Sequence, residues 1–229
     1  IAPDLRGHAR SDKPDDGYAL ADYAADAVGL LDALNVGRVC VIGHSLGALI
    51  AAYLAAEMPD RVYALVLEDP PLCQHADIDE WARLRIEVQG LGTVEQTVAM
   101  LRDLVPDRPD ADIEQEAECL RATAQGPFIA ILTGEIDLTS DQSAMLRRIA
   151  CPTLVLQADP ADGGVLSDEA VGRAMAALRR GSHQAFPRTG HVIHRDRSSD
   201  FVAAVERFFD TVLEEHVDTG DATQSEGCM

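Results

Sequence analysis

The chain has 229 residues, 47% of them hydrophobic, which is enough to bury one sizeable α/β core. Its formal net charge is −20 and Lys13 is its only lysine, so its acidic surface would repel nucleic acids and anionic membranes. No apolar run approaches the length of a membrane span and no signal peptide is recognisable, so we expect no membrane partner.

Cysteine usage favours a reducing compartment. The chain carries five cysteines, an odd number at irregular spacing, which suits neither a disulfide framework nor a zinc site. They are Cys40, Cys73, Cys119, Cys151 and Cys228. We therefore expect free thiols, a cytoplasmic protein and no metal.

Strand and helix patterns alternate along most of the chain. The predicted elements are, in order, the end of a strand at 1–6, helix 18–34, strand 38–42, helix 46–57, strand 62–67, strand 152–156, helix 168–178, strand 183–186 and helix 199–215. Residues 72–147 are charged and helical, with helices expected at 79–89, 94–104 and 113–124 and a last one ending at 148.

This alternation predicts an α/β fold, a mostly parallel sheet interrupted by one inserted helical lid. The expected division is a first part of the core at 1–71, the lid at 72–147, a second part of the core at 148–216 and a disordered tail at 217–229.

The segment 38–50 is the most informative one. A β-branched strand runs into Gly43-His44-Ser45-Leu46-Gly47 and then into a helix of small residues. A G-x-S-x-G between strand and helix is typical of a nucleophile elbow, which holds its serine on a strained turn. We expect both glycines to be required because a Cβ at either would collide with its neighbours.

A serine nucleophile needs a base, and His191 is the best candidate. It lies in the loop Thr189-Gly190-His191 after the last strand, and the order serine, acid, histidine is the one this elbow type has. His194, three residues later, is the local competitor. Neither spacing nor composition requires a cofactor.

The acid has three candidates, each just after a predicted strand. Asp159 is preferred because it directly follows the strand that ends near Ala158, and Asp162 and Asp69 are the alternatives. Each of them also fits an ordinary turn-capping role. The backbone N–H of Leu46, the residue after the nucleophile, is expected to be the first oxyanion donor.

These segments resemble the α/β-hydrolase superfamily, especially its small esterase-like and carbon–carbon-hydrolase-like members. The matching segments are residues 2–14 after the family's fourth strand, 43–47 at the elbow, 59–67 leading through the sixth strand, 151–156 in the seventh and 190–191 in the histidine loop. The resemblance implies that His8 lines the entrance or orders a turn, and that Asp4 and Arg6 hold their loop together.

Two departures from the family pattern matter. The usual Gly-x-x-Asp acid loop reads here Ala158-Asp159-Pro160-Ala161-Asp162. The sequence also begins at the family's fourth strand, without the loop that supplies a second oxyanion donor. We therefore expect an N-terminally truncated hydrolase whose open sheet edge makes it less stable and more prone to associate.

The resulting hypothesis is a serine hydrolase that acts on a small ester, thioester, lactone or related carbonyl substrate, with an apolar acyl group. The alternative is a ligand-binding or signalling module with little or no turnover. Apolar lid residues either line an acyl pocket or pack the lid, namely Trp81, Leu84, Ile86, Leu91, Val94, Met100, Leu101, Phe128 and Leu132.

Overall fold

The computed structural model describes residues 1–72, 78–106, 108–138 and 140–218, with 215–218 described as backbone only. Cys73, Cys228 and residues 219–229 of the predicted tail lie outside these ranges. The chain divides into two compact units, one formed by Ile1–Tyr23 with Ala76–Leu138 and the other by Ala24–His75 with Thr139–Met229.

The second unit contains a parallel sheet, which confirms the predicted fold class. Its strands are β1 (Val39–His44), β2 (Val62–Glu68), β3 (Thr153–Ala158) and β4 (Gly181–Phe186), in that spatial order. All three pairings are parallel, so a crossover joins each strand to the next and all carboxyl ends lie at one edge of the sheet.

Helices complete the second unit. They are α2 (Leu46–Glu57), α7 (Ser143–Leu146), α8 (Asp168–Ala177), α9 (Ile193–Asp196) and α10 (Ser198–Asp218), and α1 (Leu20–Ala33) enters it from the first unit. The helix α2 is apolar on nearly all sides and packs on β1 and β2. A buried cluster joins β2, β3 and β4 to α9 and α10 through residues such as Val66, Leu156 and Ile193.

Among the described residues, β1 pairs with β2 alone and forms an edge of the sheet. Ile42 on this strand is 47% exposed, whereas the residues of β2 and β3 are buried almost throughout. Within the described part of the chain, the strand that carries the elbow therefore pairs on one side only.

The first unit is helical. It contains α3 (Ile78–Gly90), α4 (Val94–Leu104), α5 (Asp110–Arg121) and α6 (Gly126–Leu132). Apolar side chains of these helices form a core of their own, in which Val88, Ile113 and Phe128 are buried. Trp81 stays 40% exposed beside Phe128.

The N-terminal segment departs from expectation. The predicted strand end at 1–6 is wrong, since none of the described strands pairs with it and its residues have no regular structure. Residues 1–23 belong instead with the helical unit, where the carbonyl of Gly7 accepts a bond from Ala124 N at 2.6 Å. Tyr18 N also donates to Glu135 Oε1 at 3.3 Å.

Local bonds order the loop of residues 4–17. The Arg6 guanidinium donates to the carbonyl of Gly17 at 2.6 Å, and Asp4 accepts from Arg10 N at 3.3 Å. His8 Nδ1 lies 2.9 Å from the carbonyl oxygen of Arg6. Asp4 and Arg6 thus hold their loop together, as the sequence predicted, and His8 orders the same turn.

Within the described ranges, no helix is both long enough and apolar enough to cross a bilayer. Cys40, Cys119 and Cys151 form no disulfide there.

Candidate active site

Ser45 lies on a strained turn between β1 and α2. Its φ is 53° and its ψ is −120°, a conformation that costs a non-glycine residue about 1–3 kcal/mol. Bonds on both sides hold it: Ser45 N donates to the carbonyl of Glu68 at 3.1 Å, and Ala48 N donates to the carbonyl of Ser45 at 2.9 Å.

The hydroxyl of Ser45 does not cap the helix that it precedes. A serine at this position usually accepts a bond from the first turn, yet Ser45 makes no such side-chain bond. Leu46 is the first residue of α2, so its N–H is among the four that have no acceptor within a helix. The Ser45 hydroxyl and the Leu46 amide therefore lie side by side at the positive end of a helix, and neither is used in a capping bond or a bond within that helix.

The two glycines of the elbow are not equivalent. A Cβ on Gly43 would lie 2.5 Å from the carbonyl carbon of Gly47 and 2.7 Å from Cα of Ala48, so the backbone itself excludes it. A Cβ on Gly47 would meet no atom of the described residues within 4 Å. The expectation that both glycines are sterically required is correct for Gly43 and wrong for Gly47, which faces open space.

His191 is paired with Asp69. Its Nδ1 lies 2.6 Å from Oδ2 of Asp69; the histidine side chain is 28% exposed and the aspartate side chain is fully buried. Asp69 follows the last residue of β2 and has a φ of 40°, which turns its carboxylate toward the histidine loop.

Backbone amides compensate the burial of the Asp69 carboxylate. Oδ2 accepts from Val165 N at 2.8 Å, and Oδ1 accepts from Ala158 N at 3.2 Å and Leu166 N at 3.3 Å. With His191 the carboxylate therefore has four partners, and such bonds to its charged form are what a buried carboxylate needs.

The preference for Asp159 as the partner of His191 is therefore wrong. Its Oδ1 accepts from Ala161 N at 3.0 Å and its Oδ2 from Arg188 N at 2.8 Å. The bonds from Arg188 and then Ala161 hold the pKa of this exposed carboxyl below its ordinary value. Asp159 caps the short 3-10 turn Pro160–Asp162, and exposed Asp162 ends that turn, so both aspartates serve it.

Two residues that were not among the sequence candidates, His44 and Glu68, bind the segment 191–194. His44, beside the serine, donates from Nε2 to the carbonyl oxygen of His191 at 2.9 Å, and the two rings lie 4.5 Å apart. Burial lowers the pKa of His44 and the nearby His191 imidazole lowers it further, so His44 favours the neutral form. Glu68, the last residue of β2, is only 1% exposed and binds His194.

His194, the competitor for the base, therefore has a different partner. Its Nδ1 lies 2.8 Å from Oε2 of Glu68, and its backbone N–H donates to Oε1 at 2.8 Å. The sequence signal that could have identified Glu68 is its position, a charged residue at the end of an otherwise apolar strand. Across the described part of the chain, no three His, Cys, Asp or Glu side chains are arranged to hold a metal ion.

Comparisons with known proteins agree with the fold described above. The sequence model of the alpha/beta hydrolase family matches residues 1–205. A 2-(acetamidomethylene)succinate hydrolase from Mesorhizobium japonicum is 38% identical over 120 residues, which cover 52% of this chain and 43% of that protein. The aligned region thus spans less than half of that relative's length.

Solved structures match over most of the chain. The crystal structure of E-2-(acetamidomethylene)succinate hydrolase superposes with a TM-score of 0.74 at 25% identity, covering 90% of this chain and 80% of that one. A hydrolase from Pseudomonas aeruginosa superposes with a TM-score of 0.73 at 26% identity, covering 90% of this chain and 77% of that one.

Proposed function

Because the chain belongs to the alpha/beta hydrolase family, we propose that it is a serine hydrolase of small carbonyl compounds. Its substrates are carboxylic esters, thioesters, lactones or related compounds with an activated carbonyl. Ser45 is the nucleophile, His191 the general base and Asp69 the acid that orients it.

In this mechanism Ser45 Oγ attacks the carbonyl carbon while its proton passes to Nε2 of His191. Asp69 keeps Nδ1 of that ring protonated and stabilises the imidazolium that forms. The Leu46 N–H donates to the oxyanion, and an interaction of this kind is worth about a hundredfold or more in rate. His191 returns the proton to the leaving group, and water then releases the acyl group by the same steps.

The observation that carries this proposal is the 2.6 Å contact between His191 Nδ1 and the buried Asp69 carboxylate. A histidine held in this way has its Nε2 left for a reacting group. Its loop is bound through a carbonyl to His44, the residue directly before Ser45. The Mesorhizobium relative is named as a hydrolase of 2-(acetamidomethylene)succinate, which supports hydrolysis as the type of reaction.

A fluorophosphonate probe tests the proposal directly, because it reacts with an activated serine far faster than with an ordinary hydroxyl. We expect the 229-residue protein to be labelled at Ser45, identified by peptide mass spectrometry, and labelling to disappear in Ser45→Ala. Ser199→Ala, which alters an exposed serine of α10, should be labelled like the wild type. Hydrolysis of p-nitrophenyl esters of increasing chain length then reports acyl preference. An inert Ser45 in a folded protein would refute the proposal and favour the ligand-binding alternative.

A further inference from the structure

Glu68 is an unusual residue for its position. The strand β2 reads Val-Tyr-Ala-Leu-Val-Leu-Glu, and its last four residues lie in the sheet between β1 and β3. A carboxylate buried there is costly unless it is fully bonded. The side chain of Glu68 binds one residue, His194, through both the backbone N–H and the ring.

The main chain of Glu68 contacts the other half of the site. Its carbonyl accepts the bond from Ser45 N at 3.1 Å, and Glu68 is the register partner of His44 on β1. One residue therefore binds the amide of the nucleophile through its backbone and the histidine loop through its side chain. The distance between the serine and that loop depends on this residue.

The loop that carries His191 is bound at three further points. Upstream, Asp159 N donates to the carbonyl of Thr189 at 2.9 Å. At residue 191 itself, the ring binds Asp69 and the carbonyl binds His44. Glu68 supplies the downstream point, since His194 lies in the first turn of α9 immediately after the loop.

We propose that Glu68 and His194 are positioning residues, a second carboxylate–imidazole pair that fixes the His191 loop against the elbow. This inference rests on the proposed function. A general base that shifts by about 1 Å loses roughly a hundredfold in rate, so a partly released loop should slow the reaction at Ser45 without preventing binding of the probe.

Kinetics of fluorophosphonate labelling test the role in four variants. Glu68→Gln keeps the volume but loses the charge and one acceptor, and His194→Leu loses the ring donor. We expect both to lower the maximal labelling rate about ten- to a hundredfold, with little change in the probe concentration at half-maximal rate. His194→Asn places an amide nitrogen near the position of Nδ1 and should restore most of the rate.

His183→Asn is the matched control. His183 Nε2 binds Oε1 of the buried Gln157 at 3.0 Å in the same sheet, so it is also an imidazole paired with a buried polar group. Its replacement should leave labelling unchanged.

A spectroscopic measurement separates positioning from activity. The Nδ1 proton of His191 should give a downfield proton NMR signal, assigned by its loss in His191→Asn. Release of the loop speeds exchange with water, so we expect this signal to broaden in Glu68→Gln and His194→Leu and to persist in His194→Asn and His183→Asn.

Wild-type signal and labelling rate in both Glu68→Gln and His194→Leu would overturn the inference. If Glu68→Gln does not fold, His194→Leu decides, since the replaced side chain is 47% exposed and the backbone N–H of residue 194 still donates to Glu68. If the wild type is not labelled at all, the proposed function fails, while the NMR signal still decides on the positioning role.

Discussion

Replacement of Asp69 by asparagine tests whether Asp69, which contacts His191 in the structure, or Asp159, which the sequence favoured, is the acid that serves His191. The carboxylate of Asp69 accepts four bonds in a fully buried position. Asparagine has one acceptor oxygen, and its NH2 group would face two donors whichever way the amide turns. Two buried N–H groups lose their acceptor.

The magnitude follows from those two groups. Each unsatisfied buried donor costs about 1–3 kcal/mol, so we expect Asp69→Asn to lower the free energy of unfolding by about 2–6 kcal/mol. Because the oriented, charged partner of the base is lost, the labelling rate at Ser45 should fall about a thousand- to ten-thousandfold. Asp159→Asn and Asp162→Asn change exposed side chains and should leave the rate within about twofold of wild type.

Urea unfolding followed by circular dichroism gives the stability, and labelling is then measured at a temperature where each variant is folded. The reasoning is refuted if Asp159→Asn or Asp162→Asn abolishes labelling while Asp69→Asn remains reactive. Equal small losses in all three variants would also contradict it, because no single aspartate would then serve His191.

Three further predictions concern stability and are measured by urea unfolding. Gly43→Ala should cost about 3 kcal/mol or more because its Cβ meets backbone, whereas Gly47→Ala should cost less than about 1 kcal/mol, and equal effects would contradict the elbow geometry. The pKa of His44 is lowered in the folded state, so the unfolded chain takes up this proton first as the pH falls, and stability should fall below about pH 6.5 by at most about 1.4 kcal/mol per pH unit for this group. His44→Gln should therefore lose less stability between pH 7.5 and 5.5 than the wild type does. An identical loss would refute the lowered pKa of His44. In the helical unit, Glu116 accepts from both Arg85 and Arg108, so Glu116→Gln should cost about 1–2 kcal/mol while the exposed Glu114→Gln costs almost nothing, and no difference between them would contradict that network.

The local sequence was sufficient to predict the elbow, the strand before it and the helix after it. The bounds of α2 and α4 agree with the predicted helices: α2 is apolar along its length, and α4 is amphipathic and begins after the capping residue Thr93. The parallel sheet followed from the alternation of strands and helices. His191 was identified because a glycine-containing loop after the last strand ends at the same sheet edge as the elbow.

The partner of His191 could not be chosen from the sequence. Three aspartates follow strand patterns, and the structure shows that Asp69, at a positive φ just after β2, is the one that contacts His191. Periodicity carries no information on a single backbone angle. Glu68 and His44 were missed because their roles depend on contacts with residues more than a hundred positions away. The strand expected at 1–6 failed because a strand pattern forms a strand only when another strand pairs with it.

The backbone angle at Asp69 also limits how this region can be redesigned. Successive side chains of an extended strand point to opposite faces of a sheet, yet positions 68 and 69 both reach the segment 191–194. The left-handed turn between them makes this possible, and few residues other than glycine, asparagine and aspartate adopt it readily. A mutant library that aims at new pH or substrate behaviour should therefore keep aspartate at position 69, which supplies both this backbone angle and the carboxylate that binds His191, and vary position 68 instead.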